Sequence, residues 1–210
     1  MTSPRTDTRT VDRTAGWLGV AFLVTLLASE AALTLPDEGA TDSLVTTFYS
    51  QHRTVIIGLQ IVGFVSAALL AVFAWRLRVV SRGIAAAGIL LALTALAPGI
   101  ITALTAIVAD PAHPDAASRY NHLEPRGDDL LFIGVMIFAA TITYLIGRSP
   151  LWLGMLSSTV SLLCLLRFAL EALLPTRNVL DSLAPIAFLV LIAGLVVLCF
   201  RGFPEPERIA

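Results

Sequence analysis

"TVIIGLQIVGFVSAALLAVFAW", Thr54 to Trp75, runs for 22 residues without a charged side chain. As a helix rising about 1.5 Å per residue it reaches about 33 Å, enough to cross the roughly 30 Å hydrocarbon core of a bilayer. An arginine-rich turn, "RLRVVSR", Arg76 to Arg82, closes it. Five further stretches have similar length and character: Ala15 to Leu35, Ile84 to Val108, Leu130 to Ile146, Leu151 to Leu174 and Leu183 to Phe200. The chain as a whole is 57% hydrophobic and 14% charged, with mean hydropathy +0.84, against about 25% charged residues in soluble domains. The expected fold is an all-α polytopic membrane bundle of about six transmembrane helices. It comprises a disordered arm (residues 1–14), one bundle (15–201) and a short tail (202–210).

The first stretch is expected to remain as a span. It is long for a signal peptide, lacks a small-residue cleavage site and follows a polar arm carrying Arg5, Arg9 and Arg13. If the chain crosses six times, that arm, the Arg76–Arg82 turn, Arg148, Arg201 and Arg208 share one side. Short cytoplasmic loops collect cations, so both termini are expected in the cytoplasm. All 14 cations are arginine, a bias of GC-rich genomes, and the expected location is a bacterial plasma membrane, crossed several times. Net charge is −1, which excludes nucleic acid as a partner, and no basic run marks a site for anionic lipid. Cys164 and Cys199 lie within apolar runs as small hydrophobes.

Apart from Asp7, Asp12, Glu205 and Glu207, every carboxylate falls on or near the opposite side, as do His52, His113 and His122. A polar site is therefore expected to open there. Three groups of residues qualify. On the fifth span, which includes "SLLCLLRFALEALLP", Ser161 to Pro175, the residues Ser157, Ser161, Cys164, Arg167 or Phe168, and Glu171 recur at steps of three and four and share a helical face. Ionisable groups in hydrocarbon turn inward and pair, or snorkel to the headgroups; Arg167 and Glu171 are placed for either. Glu30, in "LLASEAALTLP", is a candidate general acid among leucines, or a hydrogen-bonding partner for a neighbouring helix. In "TDSLVTTFYSQHRTVIIGLQ", Asp42 or Ser43 is expected to cap a helix that starts amphipathic outside the membrane and runs into the second span. Tyr49, Arg53, Ile56 and Gln60 then follow one face with His52 beside them, as candidate substrate-binding groups or interfacial anchors.

The spacing of His113, Asp115, His122 and Glu124 matches no metal-ligand pattern, so no metal or cofactor is assigned. Asp128 and Asp129 are expected to cap the fourth span. Pro98 and Gly99 should kink the third.

The stretch "FYSQHRTVIIGLQIVGFVSAALLAVFAWRLR", Phe48 to Arg78, resembles a group of poorly characterised actinobacterial six-span membrane proteins. In these an aromatic pair and His-Arg open the second helix, positions held here by Tyr49, His52 and Arg53. Size, topology and buried acids also resemble, at the level of the fold alone, small membrane-embedded terpenoid cyclases. The leading expectation is a membrane enzyme using acid-base catalysis on a lipid or isoprenoid-type substrate, by cyclisation or isomerisation. Glu171 or Glu30 would donate the proton, Arg167 would tune the acid or hold an anionic headgroup, and Tyr49, His52, Arg53, Gln60 and Ser161 would bind substrate. The alternatives are a noncatalytic membrane-organising, binding or resistance protein and, third, a small transporter.

Overall fold

The spans place their sequence neighbours side by side because most of the links between them are short. The computed structural model describes residues 13–31, 33–36, 40–146, 150–173 and 179–203. Its elements are α1 (Arg13–Glu30), α2 (Asp42–Arg76), a 3-10 turn at Leu77–Val79, α3 (Arg82–Thr94), α4 (Leu96–Val108), α5 (Pro114–Asn121), α6 (Glu124–Ile146), α7 (Leu151–Leu173) and α8 (Leu180–Arg201). Five helical units, Asp42–Val79, Arg82–Val108, Pro114–Ile146, Leu151–Glu171 and Leu180–Arg201, are long and apolar enough to cross a membrane. The 18-residue α1 packs beside two of them, α2 and α8. The chain is a helical membrane bundle.

The packing forms a ring: α1 on α2, α2 on α3 and α4, these on α6, α6 on α7, α7 on α8, and α8 back on α1. The Ser66 hydroxyl donates to the Phe22 carbonyl at 3.3 Å and sets the register of α1 on α2. One apolar core joins the six members around Phe22, Phe73, Leu91, Phe138, Val160 and Leu191.

The kink expected at Pro98 falls three residues earlier, at Ala95, where α3 ends and α4 begins. Pro98 has no N–H for the Thr94 carbonyl, and its ring crowds the preceding turn, so the break forms on the N-terminal side of the proline. Helix α6 lies directly on this break. A Cβ at Gly127 would stand 3.0 Å from Pro98 Cα, and one at Gly134 would stand 3.2 Å from Leu91 Cα. Small residues that admit a neighbour's backbone are a usual device of membrane helix packing.

Several expected boundaries move. The first span, expected to reach Leu35, ends at Glu30, and residues 33–36 have no helical structure; Pro36 biases the residue before it toward an extended conformation. Arg13 and Thr14, assigned to the arm, already belong to the helical segment. Helix α2 starts at Asp42 with Thr41, rather than Asp42 or Ser43, in the N-cap position and without a side-chain cap. Its 35 residues span about 52 Å, so its first turns project beyond the hydrocarbon. Helix α6 begins at Glu124 instead of Leu130, with Pro125 in its first turn, where proline is favoured. The supposed loop before it contains α5, started by Pro114 and Asp115. The expectations for the arm before Arg13, for Arg148, for the link 174–178 and for the tail after Phe203 lie outside the described residues.

A second, smaller core caps the end of the bundle away from the Arg76–Arg82 turn. Val45, Tyr49, Ile56, Ala106, Ala109 and Ala117 bring together the first turns of α2, the end of α4 and α5.

Candidate functional site

Arg167 is the most enclosed charged side chain of the described bundle, 6% exposed. It lies on the inward face of α7, in step with the buried Ser157, Val160 and Cys164, so it does not snorkel. Its Nη1 is 2.8 Å from Asp129 of α6 and 3.2 Å from Glu171, and its Nε is 2.9 Å from Asp181 of α8. The guanidinium also sits over the rings of Phe132, at 4.2 Å, and Phe168, at 5.4 Å. Its donors thus face carboxylates from three helices and its plane faces aromatic rings, the arrangement a planar fork of five N–H groups favours. The expected pairing with Glu171 is present, but the two residues that tie α7 to its neighbours are Asp129 and Asp181.

Sequence reading missed both. Asp129 was expected to cap the fourth span, but the helix starts five residues earlier and carries Asp129 into its second turn. Pro125 was the available signal. Asp181 carried none, because only the packing of α8 on α7 brings it to the guanidinium. Ser161 shares the stripe but not the cluster: its hydroxyl donates to the Met136 carbonyl of α6 at 3.4 Å.

Glu30 is not among the partners of Arg167, and among the described residues it forms no ion pair. Its place is nevertheless informative. Steps of three and four along α1 carry the buried face of Ala15, Gly19 and Phe22 through Leu26 to Glu30, yet Glu30 is exposed. On the facing part of α2, no residue from 57 to 65 is buried, and on the third span none from 93 to 101. A Cβ at Gly63 would meet nothing nearer than the Gln60 amide oxygen of its own helix, at 4.0 Å. Between the two cores, therefore, α1, α2 and the third span pack less closely than above and below.

All these polar groups belong to the same half of their helices. Gln60 lies 15 residues from Trp75, Arg167 15 from Trp152, and Asp129 15 from Tyr144, while Glu30 lies 13 from Trp17. Each therefore sits about 20–23 Å along its own helix from an aromatic residue near the opposite end, in the acid-rich half. The Gln60 amide packs against α4, where a Cβ at Gly99 would be 2.9 Å from its oxygen.

Of the remaining candidates, Tyr49 and Arg53 fasten the cap, while His52 contacts its own helix. Tyr49 is fully buried and donates to Asn121 Oδ1 at 3.4 Å. Thr46 donates to the Pro114 carbonyl at 2.9 Å, and Ser118 to Asp42. Arg53 donates to the carbonyls of Ala106 and Ala109 at the C-terminus of α4, where orphan acceptors and the negative helix end favour a cation. His52 Nδ1 is 2.9 Å from its own helix's Phe48 carbonyl, and its ring tilts on the Phe48 ring at 4.6 Å. In the turn beyond, the Ala112 N–H and the His113 ring hold the Asp110 carboxyl below its usual range. Arg53→Met is expected to lower stability by about 1–2 kcal/mol, since water reaches part of the freed carbonyl surface. The amides of α4's last turn and α5 should exchange faster with deuterium, while those of α7 and α8 keep their protection.

Two grooves lie on the projecting surface, one lined by Thr41, Leu44, Phe48 and Gln51, the other by Ser50, Arg53, Asp110 and Pro111. Neither is lined by Glu30 or by the Arg167 cluster. Comparisons with protein-family models, with curated proteins and with solved structures find no match for this chain.

Proposed function

We propose that this bundle is a small membrane enzyme that admits a lipid or isoprenoid-type molecule from the bilayer and isomerises or cyclises it by acid-base catalysis. The observation that carries the reading is Glu30, exposed at the end of a helix face that is buried from Ala15 to Phe22, while on the neighbouring α2 a Cβ at Gly63 would meet nothing nearer than 4.0 Å. An accessible carboxyl at the end of an otherwise buried apolar face, with an amide on the adjoining helix, is the kind of polar group a substrate pocket needs. Isomerisation adds one proton and removes another, so it asks for no cofactor.

Glu30 is assigned the proton transfer and Gln60 the orientation of substrate. Arg167 already faces three carboxylates, which argues against its holding an anionic headgroup; its role is to position Glu171 and the ends of α6, α7 and α8. Tyr49 and Arg53 act through the cap, and Ser161 through the α6–α7 contact. On this reading the arginine-rich end faces the cytoplasm of a bacterial cell and substrate enters from the outer leaflet.

The test compares lipid extracts, by chromatography with mass spectrometry, from cells with wild type, Glu30→Gln or Gly63→Leu at matched membrane levels. A species, including an isomer of unchanged mass, should appear with wild type and be lost in both variants. Its persistence in Glu30→Gln would remove Glu30 from the chemistry. Extracts identical to those of cells lacking the protein would favour the second reading, a noncatalytic membrane-organising or binding protein. The engagement of Arg167 by three helices supports that alternative, because such a centre also serves to pair helices.

A further inference from the structure

No run of basic residues occurs in the sequence, yet the closed ring assembles a basic surface. Arg13 opens α1, Arg78 lies in the turn after α2, Arg82 opens α3 and Arg201 closes α8. The packing of α1 against both α2 and α8, with Trp17 edge-on to Phe200 at 5.5 Å, brings these distant positions to one end. All four arginines are exposed, and none takes part in an ion pair among the described residues.

Charge at this end is not balanced within the chain. The segments joined to it carry nine arginines against four carboxylates in the sequence, so internal pairing leaves a positive surplus. The end is also marked as an interface. All three tryptophans belong to it, with Trp17 66%, Trp75 50% and Trp152 46% exposed. Indole rings favour the headgroup level. The Arg78 guanidinium lies over the Trp75 ring at 4.2 Å, which fixes that cation at the same level. Towards the middle of the bundle the outward surface of α1 and α2 is apolar, with Val24, Val65 and Val72 exposed.

We propose that this end binds anionic phospholipid, the phosphate seated among Arg13, Arg78 and Arg201 and the acyl chains lying along the apolar faces of α1 and α2. A guanidinium matches phosphate in two-point geometry. A soluble phosphate would use the arginines alone, whereas a phospholipid also meets the apolar surface that adjoins them. The assignment is independent of the catalytic reading.

Native mass spectrometry of the full chain in detergent, offered equal amounts of phosphatidylglycerol and phosphatidylcholine with the same acyl chains, tests it. Wild type should retain phosphatidylglycerol preferentially. Each arginine contributes about fivefold near a charged surface, so Arg13→Gln, Arg78→Gln and Arg201→Gln together should reduce the preference tenfold or more. Arg119→Gln with Arg126→Gln, at the opposite end, should leave it unchanged. Added potassium chloride should weaken the preference in wild type itself, a readout that needs no variant to fold. Equal retention of the two lipids, equal loss in the opposite-end variant, or displacement of the lipid by inorganic phosphate would each overturn the assignment.

Discussion

Arg167→Met is expected to destabilise the bundle by about 3 kcal/mol, near the lower end of the cost of breaking a buried ion pair. The lower end applies because the Asp129 and Asp181 side chains are each 33% exposed and Glu171 is 42% exposed, so water screens part of the uncompensated charge. Unfolding in mixed micelles of rising sodium dodecyl sulfate content would measure the loss. Removing Glu171 as well should recover little, since Asp129 and Asp181 still face each other across the missing cation. Adding Asp129→Asn and Asp181→Asn to Arg167→Met should recover most of it, because replacing both sides of a charged contact removes the unpaired charge. A triple variant no more stable than Arg167→Met alone would show that the side chain's packing against Phe132 and Phe168, and not its charge, is what the site requires.

Gly134 carries the other large effect. A Cβ there would collide with Thr94 Oγ1 and stand 3.2 Å from Leu91 Cα, so alanine should cost about 1–3 kcal/mol by overpacking. Valine should cost more, because it forces α6 away from the kink. Thr94→Ala in the same chain removes the nearest obstacle and should restore part of the loss, while Leu91 Cα, a backbone atom, sets the remainder. Gly58→Ala is the control: it shares the glycine-to-alanine change but has nothing within 4 Å of the new carbon. The same unfolding assay should leave Gly58→Ala within about 0.5 kcal/mol of wild type, as for substitutions away from packed features. Equal losses at Gly58 and Gly134 would assign the effect to glycine itself rather than to the contact between α3 and α6.

The bundle was legible in the sequence because its cause is local. A run such as Thr54 to Trp75 must satisfy its backbone polar groups within itself once in hydrocarbon, which makes it a helix whatever its neighbours do. The kink was legible for the same reason, since proline acts on its own preceding turn. The pairing of Arg167 with Glu171 needed only the helical step of four. The segregation of arginines from carboxylates was also visible, because successive spans assign alternate links to opposite sides.

Tertiary structure alone decided the rest. Asp129 and Asp181 reach Arg167 from helices 38 and 14 residues away in sequence, and no spacing rule connects them. Tyr49 and Arg53 had the residue types of a binding face; their burial and carbonyl partners make them fasteners of a cap whose existence depends on α5 docking onto α2. Glu30 is set apart only by comparison: its helix face is buried at one end and accessible at the other, which depends on where the neighbouring helices stop touching. The basic end has the same origin, since arginines from α1, α3, α8 and the turn after α2 become one surface when the last helix closes on the first. Hydropathy acts along the chain and fixed the helices; charge pairing, packing and surfaces act between helices, and required the ring to be closed.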